Sequence, residues 1–284
     1  MRILYGVVGE GMGHAIRSRV ILDELTRHHE VLVVVSGRAH AYLEEALRHR
    51  MRLQKIWGLN IVYEDNEVRR FRTLLANARG AIRGWPANVR AYFDVARSFE
   101  PDVVVSDFES WSQLFARRHR LPVISVDNIQ VIDRCTHPPE ILEGHRTDFQ
   151  MTRQLVRRKV PGALHYHITT FFRPPVSRPR TTLHPPVLRP RILEAVPEDG
   201  DHLLVYQTST TNTRLPALLR DTGLPCRIYG LRRDLEADEV DGSLLWRPFD
   251  EATFVDDLRT ARGVVSSAGF TLMGEALHLG RPLL

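Results

Sequence analysis

The chain has 284 residues, of which 43% are hydrophobic and 26% charged, and its formal net charge is +5. This composition excludes a disordered chain, and the length is enough for about two domains. Two cysteines, Cys135 and Cys226, exclude a disulfide-stapled fold and a four-cysteine zinc cage. Apolar runs such as residues 31–35 are far shorter than the ~20 residues of a membrane helix, so we expect a cytoplasmic protein.

The basic residues are almost all arginine, since only Lys55 and Lys159 are lysines. Arginine binds phosphate and carboxylate through a planar fork, which favours an anionic substrate. A genome rich in G and C, which encodes arginine in place of lysine, explains the composition equally well. The sequence contains no RNP-type aromatic motif, zinc finger or basic arm, so we do not expect a nucleic-acid partner.

The first part of the chain alternates between strand and helix patterns. Continuous apolar strands separated by helices are typical of a parallel sheet that is covered on both faces. In chain order, the pattern predicts a strand over 2–8, a helix over 15–27, a strand over 31–35, a helix over 39–48, a strand over 101–107, a helix over 108–119 and a strand over 121–126.

Between the second and third of these strands, residues 71–82 and 89–96 carry two apolar stripes at helical spacing. Gly80, Gly84 and Pro86 interrupt them, which predicts a helical hairpin. Such a hairpin could bind an acceptor or touch a membrane surface, and the alternative is a solvated face rich in arginine.

Prolines are concentrated between residues 173 and 191, where the chain can continue neither a helix nor a central strand. We therefore predict a stiff linker over 173–191 that joins a first domain, residues 1–172, to a second, residues 192–284. Beyond the linker the pattern predicts strands over 202–206, 226–229, 243–246 and 263–265 and helices over 215–221, 254–261 and 271–279. Two such α/β domains are expected to face each other across a cleft that binds ligands.

A glycine-rich turn with Gly9, Gly11 and Gly13 follows the first strand, and His14 comes directly after it. A dinucleotide fingerprint would need glycine in place of His14 and an acidic residue after the second strand, so nicotinamide binding is not expected. A helix N-terminus favours a neutral imidazole, which is the form that a general base requires. The alternative is a histidine that only caps the turn.

Residues 266–282 form the most informative stretch of the sequence. A turn of small residues before Gly269 opens a helix, whose free N–H groups and dipole can hold a diphosphate. Glu275 lies about one turn inside that helix and can accept hydrogen bonds from two ribose hydroxyls. Gly280 ends the helix, and Pro282 prevents its continuation.

This stretch, with Gly269, Glu275 and then Gly280-x-Pro282, resembles the donor-domain motif of nucleotide-sugar glycosyltransferases of the GT-B fold. The turn that ends in His14 is similar to that of the same group, which includes the peptidoglycan N-acetylglucosaminyltransferases. Both motifs most resemble a branch described as teichoic-acid-related. The resemblance implies two Rossmann-like domains that face a cleft, with the acceptor on the first domain and the donor on the second.

The resemblance also implies roles for single residues. His14 would be the catalytic base and Asp107 the carboxylate that orients it, although Asp107 could equally cap the helix after its strand. Phe249 would stack near a uracil and Glu275 would hold the ribose, while Gly9, Gly11 and Gly13 form the turn on the acceptor side. The donor would be held by Thr208, Ser209, Phe249, Ser267, Gly269, Phe270, Thr271 and Glu275. The match at Thr208 and Ser209 is looser, because the family usually has glycine there.

Together these expectations describe a hexosyltransferase that needs no metal or other cofactor. It would transfer a sugar from a UDP-linked donor to a hydroxyl acceptor in cell-envelope or glycan synthesis. One possible acceptor is a lipid- or phosphate-linked molecule. With such an acceptor, the protein would contact the inner face of the cell membrane peripherally. A nucleotide-sugar epimerase on the same fold and a non-catalytic nucleotide- or polyanion-binding protein stay open as alternatives. We also expect the second domain to be truncated, since a donor-domain strand should begin near Leu284.

Overall fold

The computed structural model describes residues 1–9, 12–47, 50–58, 63–64, 67–68, 70–207, 212–232 and 234–284. For residues 63–64, 67–68 and 70–83 it describes the backbone element alone. The chain divides into two compact units. Unit 1 comprises Met1–Asn60 and Leu74–Val187, and unit 2 comprises Ile61–Thr73 and Leu188–Leu284.

The strands of unit 1 form one sheet of seven strands, all paired in parallel. The seven strands are β1 (Arg2–Val7), β2 (Glu30–Val35), β3 (Arg52–Lys55), β6 (Val103–Asp107), β7 (Val123–Asp127), β8 (His165–Thr169) and β9 (Thr181–His184). Between β3 and β6 in the chain, β4 (Tyr63–Glu64) and β5 (Glu67–Val68) form a separate, short antiparallel pair. The order across the seven-stranded sheet is β3-β2-β1-β6-β7-β8-β9. The predicted parallel sheet is therefore confirmed.

Alternate side chains of β1 enter two different cores, because successive residues of a strand point to opposite faces. Leu4 packs in one cluster with Phe115, and Tyr5 packs in the other with Leu22 and Leu43. Helices cover both faces of this sheet. They are α1 (Met12–Leu25), α2 (Gly37–Ala46), α3 (Arg70–Ser98), α4 (Ser110–His119), α5 (Val131–Arg134) and α6 (Arg146–Lys159), with a 3₁₀ turn at Pro139–Leu142.

The predicted helical hairpin is wrong, because α3 is one helix that runs through Pro86. A proline inside a helix removes one backbone hydrogen bond and costs about 3 kcal/mol. Burial of Ala91 and Val95 in the core offsets that cost, since both side chains pack in the same cluster as Leu4.

Unit 2 has a sheet of five strands in the order β12-β13-β11-β10-β14. Its elements are α7 (Pro190–Glu194), β10 (Leu203–Tyr206), α8 (Leu215–Asp221), β11 (Cys226–Tyr229), β12 (Glu239–Asp241), β13 (Leu244–Arg247), α9 (Glu251–Arg259), β14 (Gly263–Ser266) and α10 (Phe270–His278). Only β12 pairs antiparallel, and this polar, exposed edge strand lacks the apolar pattern from which strands are predicted.

The segment predicted as a linker, residues 173–191, contains β9, which pairs with β8 at the edge of the first sheet. Prolines are tolerated there because an edge strand leaves one side of its backbone unpaired. The two compact units divide at Val187, inside the same segment.

Each sheet has one point at which its strand order reverses, between β1 and β6 in unit 1 and between β10 and β14 in unit 2. Ligands of open α/β sheets bind outside the carboxyl ends of the strands at such a point. Within the described ranges, no helix is both long enough and apolar enough to cross a membrane.

Candidate active site

His14 and Asp107 come together at the reversal point of the first sheet. Asp107 is the last residue of β6, and His14 lies in the first turn of α1, which follows the neighbouring strand β1. His14 Nδ1 lies 2.7 Å from Asp107 Oδ1. The contact that the sequence predicted between these two side chains is present.

Two further side chains of α1 hold the buried Asp107 carboxylate. Arg17 donates from Nε to Oδ2 at 3.1 Å and from Nη2 to Oδ1 at 2.6 Å, and Ser18 donates from Oγ to Oδ2 at 3.0 Å. Burial opposes ionisation, but the charge of Arg17 and the interactions with His14 outweigh it and lower the pKa of Asp107 to about 2. Asp107 is therefore an anion at neutral pH.

The ionised state of Asp107 decides which nitrogen of His14 carries hydrogen. Two groups contact Nδ1, the Asp107 carboxylate at 2.7 Å, which only accepts hydrogen bonds, and Arg17 Nη2 at 2.9 Å, which only donates. Because Arg17 Nη2 already donates to Asp107 Oδ1 at 2.6 Å, we assign the hydrogen to Nδ1. In the neutral ring Nε2 then keeps its lone pair. With 14% of its side chain exposed, His14 presents an imidazole that can take up a proton at Nε2.

The alternative role of Asp107, as a helix cap, falls to another residue. Glu109 is the N-cap of α4, and its carboxylate accepts from the N–H groups of Trp111 at 2.7 Å and Ser112 at 2.6 Å. Between them Phe108 takes a left-handed φ of 53°, which turns the chain out of β6. Asp107 is thereby left to contact α1.

A second buried carboxylate, Asp127, ends the next strand, β7. Burial and the charge of Asp107 raise its pKa. Asp127 Oδ1 accepts from the N–H of Gln130, and the neighbouring Asn128 accepts from Arg17 Nη1 at 3.0 Å. Arg17 therefore links the ends of β6 and β7 to the helix that carries His14.

Sequence reasoning missed Arg17, Ser18 and Asn128. A signal existed for Arg17, because residues three apart share one face of a helix, which places it beside His14. No sequence pattern indicated a role for Asn128, since that role depends on the pairing of β6 with β7.

The predicted glycine turn on the acceptor side is described only in part. A Cβ atom on Gly9 would lie 2.4 Å from the backbone of Ser36, so only glycine allows the chain to pass there. Gly13 lies in the first turn of α1, and Gly11 lies outside the described residues.

The second sheet presents small and polar residues at its own reversal point. Ser267, after β14, donates from Oγ to Oε1 of Gln207 at 2.5 Å, and Gln207 follows β10. Gly269 is the N-cap of α10, with φ of −65°. Among the described residues, leaving out its chain neighbours and the backbone of α10, no atom lies within 4 Å of where its Cβ would be. Phe270 and the buried Thr271 form the first turn of the helix. The helix start is thus exposed and has room beside it.

Of the other residues predicted to bind the donor, the structure describes Phe249 but not Thr208 and Ser209. Phe249 is 48% exposed and lies against an aromatic group, with ring centroids 5.4 Å from Phe254 and 6.4 Å from Tyr229. Thr208 and Ser209 lie outside the described residues.

Glu275, predicted to hold a ribose, has a protein partner. Arg189 donates from Nε to Oε1 and from Nη2 to Oε2, each at 2.7 Å. The side chains are 4% and 2% exposed, so this is a buried, bidentate ion pair within unit 2. No sequence pattern indicates this ion pair, because the two partners are far apart in the chain. The contact with a ribose stays a prediction.

Metal ligands are not gathered anywhere in the part of the chain that the structure describes. No group of three or more histidine, cysteine, aspartate or glutamate side chains is arranged there to hold a metal ion. The rings of His165 and His167 on β8 lie 4.7 Å apart between centroids, with their planes inclined by 41°.

A family model described as glycosyl transferase family 1 matches residues 1–284. No curated protein matches the chain in a sequence comparison. Among solved structures, the Streptomyces sp. SF2575 glycosyltransferase SsfS6, complexed with thymidine diphosphate, aligns at 19% identity and a TM-score of 0.58, covering 100% of this chain and 81% of that one.

Two plant enzymes align in the same way. Arabidopsis thaliana UGT89C1, complexed with UDP-L-rhamnose, has 16% identity and a TM-score of 0.61, over 100% of this chain and 78% of that one. Phytolacca americana UGT2, complexed with UDP-2fluoro-glucose and pterostilbene, has 14% identity and a TM-score of 0.63, over 100% and 79%. At these identities the similarity establishes the shared fold.

Proposed function

The chain belongs to glycosyl transferase family 1, and we propose that it transfers a sugar from a UDP-linked donor to a hydroxyl acceptor, with His14 as the base. The observation that carries this proposal is the 2.7 Å contact between His14 Nδ1 and the ionised Asp107. It leaves Nε2 of His14 as the proton acceptor, at the sheet edge where α/β folds bind ligands.

The proposed reaction breaks one bond and forms one. His14 Nε2 takes the proton of the acceptor hydroxyl while the acceptor oxygen bonds to the anomeric carbon of the sugar. The bond from that carbon to the diphosphate oxygen breaks, and its electron pair leaves with the diphosphate. Asp107 holds the ring in the required tautomer and stabilises the imidazolium that forms. Attack opposite the leaving group inverts the anomeric configuration.

The leaving diphosphate carries negative charge that must be stabilised. The N–H groups at the start of α10, from Gly269 to Thr271, and the helix dipole point to where a diphosphate would lie and can supply this stabilisation without a divalent ion. Ser267 lies beside them, and the exposed ring of Phe249 offers a face on which a uracil can stack. Two of the structurally similar glycosyltransferases are complexed with UDP-L-rhamnose and with thymidine diphosphate, which supports a nucleotide-diphosphate donor.

The two alternatives fit less well. Membership of a transferase family favours transfer over epimerisation and over non-catalytic binding. The more specific placement in a teichoic-acid-related branch, with a role in cell-envelope or glycan synthesis, is a proposal that rests on the motifs around His14 and Glu275.

A direct experiment is to incubate the full chain with a panel of UDP-sugars and hydroxyl acceptors in excess EDTA and to measure UDP release. We expect release that depends on the acceptor and yields a glycosylated product. Interconversion of UDP-sugars without an acceptor would support the epimerase. Binding of UDP without any turnover would support the non-catalytic protein.

A further inference from the structure

Unit 1 contains a polar cavity of about 380 Å³ among α5, the end of α6 and the segments that lead into β8 and β9. Its volume lies within the range of about 300–1,000 Å³ that is typical of small-molecule sites. Tyr166, in its wall, packs in the core cluster that contains Leu4. The helix that carries His14, α1, packs on the other face of the sheet, in the cluster that contains Tyr5. The proposed transfer reaction therefore does not use this cavity.

Positive charge dominates the wall of the cavity, which we call the arginine pocket. Four arginines line it, Arg134, Arg157, Arg178 and Arg180, and Asp133 is the one acidic residue among the described residues that do so. The lining thus carries an excess of three positive charges. A concave site lined by charge of one sign concentrates ions of the other sign, and an excess of this size favours a dianion over a monoanion.

Asp133 occupies only some of the donors that these arginines offer. Its Oδ1 lies 3.0 Å from Arg157 Nη2 and 3.4 Å from Arg178 Nη2, and Arg153, outside the lining, approaches the same oxygen at 3.4 Å. In the part of the chain that the structure describes, Nη1 of Arg157 and Nη1 of Arg178 have no hydrogen-bond partner. One buried carboxylate is shared by three guanidinium groups, so donors are in surplus.

Arg134 is the most buried of the four arginines, with 8% of the residue exposed. Its Nε donates to Thr181 Oγ1 at 2.7 Å, its Nη2 donates to the carbonyl oxygen of Pro179, and its guanidinium carbon lies 3.6 Å from the centre of the Tyr166 ring. These contacts hold the guanidinium in one orientation. Burial lowers the pKa of Arg134, and the charge of Arg178 acts in the same direction, so a bound anion would stabilise the protonated form.

A buried amide in the same wall also lacks a partner. Gln130 is 1% exposed, and its Nε2 has no hydrogen-bond partner among the described residues. Its backbone N–H donates to Asp127 Oδ1 at 2.8 Å, which fixes the residue at the end of β7. A buried donor without a protein partner indicates a ligand, an ion or water at that place. Gln130 is therefore an observation, independent of the arginines, that points to an occupant with acceptor atoms.

We propose that the arginine pocket binds a small organic phosphate, whose dianionic phosphomonoester group is held by Arg134, Arg178 and Arg180. The planar fork of a guanidinium matches the oxygens of a phosphate group, and hydrogen bonds between two charged groups are the strong ones. The pocket has room beyond a phosphate ion, and Pro161 and Pro179 offer hydrocarbon against which the rest of the molecule would lie. This binding does not depend on the proposed transferase activity.

The test measures binding to the full chain by calorimetry. Glucose 6-phosphate is the probe, inorganic phosphate is the bare ion, and glucose is the uncharged counterpart. We expect saturable binding of both phosphates, tighter for glucose 6-phosphate, and no binding of glucose. A repeat in excess UDP should give the same affinities, because a diphosphate at the start of α10 would occupy a different unit of the chain.

A first pair of variants removes one arginine from the pocket. Arg180 is exposed, and its φ of 57° favours glycine, so Arg180→Gly should fold at least as well as the parent. We expect it to weaken glucose 6-phosphate by about fivefold or more, since a charged donor is lost. Arg173→Gly is the matched control, at an exposed arginine that does not line the pocket, and should leave binding unchanged.

A second pair of variants changes charge at nearly constant shape. Gly162 lines the pocket with φ of 69°, and among the described residues other than its chain neighbours no atom lies within 4 Å of where its Cβ would be. Aspartate and asparagine both tolerate this region of the backbone map. Gly162→Asp should bind glucose 6-phosphate at least about tenfold more weakly than Gly162→Asn, because only the former repels the anion.

Four results would overturn the proposal. They are an absence of saturable binding, parental affinity in Arg180→Gly, equal affinities of the two Gly162 variants, and displacement of the probe by UDP, which would place it in the candidate donor site. Equal affinity for inorganic phosphate and glucose 6-phosphate would contradict the organic part of the ligand. Failure of UDP to bind while the probe still depends on Arg180 would contradict the proposed function and leave the arginine pocket supported.

Discussion

Arg17 holds the carboxylate of Asp107 with two hydrogen bonds, from Nε to Oδ2 at 3.1 Å and from Nη2 to Oδ1 at 2.6 Å. The guanidinium keeps the buried carboxylate ionised, and the ionised carboxylate keeps hydrogen on Nδ1 of His14. The state of the nitrogen that we propose as the base thus depends on an arginine that need not touch substrate.

Removal of Arg17 should destabilise the protein. Arg17→Gln leaves Asp107 as a buried charge with too few donors, and we expect a loss of about 3–5 kcal/mol in the free energy of unfolding. Arg27→Gln is the control, because Arg27 is 67% exposed and its ion pair with Glu24 should contribute less than about 1 kcal/mol. Urea unfolding measures both. Equal stability of the two variants would contradict the role assigned to Arg17.

Acid should remove the stabilisation that Asp107 provides. Its folded-state pKa is lowered from 3.8 to about 2, so the contribution is complete above 3.8 and is lost as the pH falls through about 2. A shift of this size corresponds to about 2 kcal/mol. We expect the carboxyl carbon of Asp107 to titrate near pH 2 in an NMR pH series. A midpoint at or above the ordinary value would be incompatible with the ion pair.

Because Arg189 and Glu275 form a buried pair, we expect the effects of mutating them on the free energy of unfolding to be non-additive. Glu275→Ala removes both short hydrogen bonds of the buried Arg189 guanidinium, beside which Glu251 lies at 3.9 Å, and should cost about 3–5 kcal/mol. Glu275→Leu combined with Arg189→Met should recover most of that loss. Calorimetric unfolding of the single and double variants tests this, and additive losses would argue against a paired role.

The double variant also tests the ribose assignment of Glu275. If Glu275 accepts from ribose hydroxyls, the double variant should bind UDP more weakly by about 1–3 kcal/mol while remaining folded. Unchanged UDP affinity would leave Glu275 with the ion pair alone.

Gly269 allows charge to be tested at the start of α10. Its φ of −65° accepts a side chain, no described residue outside its own chain segment crowds its Cβ position, and aspartate is a favourable N-cap. Gly269→Asp should therefore fold at least as well as the parent and yet repel a diphosphate. The matched variant Gly269→Asn has nearly the same shape without the charge. We expect UDP affinity to fall at least about tenfold further for Asp than for Asn. Equal affinities would mean that the diphosphate does not bind there.

The fold could be predicted from the sequence where one apolar pattern determines one element. β1 and β2 follow their predicted bounds closely, because continuous apolar strands are recognisable by themselves. β9 and β12 could not be predicted, because each is a short polar edge strand that exists through its pairing with a neighbour. The single helix α3 was missed because core packing of Val95 outweighs the local effect of Pro86.

The candidate site, like the fold, could be predicted from the sequence only in part. The contact of His14 with Asp107 was implied by the resemblance to nucleotide-sugar glycosyltransferases, and the structure contains it. Arg17 and Arg189 could not be assigned, because their roles depend on which buried carboxylate the folded chain brings to them.

The most direct test of the account compares His14→Ala with the parent in acceptor-dependent UDP release, measured in excess EDTA beside calorimetric UDP binding. His28→Ala, at an exposed histidine, is the matched control. We predict that His14→Ala lowers kcat by about 10²–10⁴-fold with UDP affinity nearly unchanged, because only the proton acceptor is lost. The control should keep parental turnover. Parental turnover in His14→Ala, or no acceptor-dependent release by the parent, would contradict the assignment of His14 as the base of a glycosyl transfer.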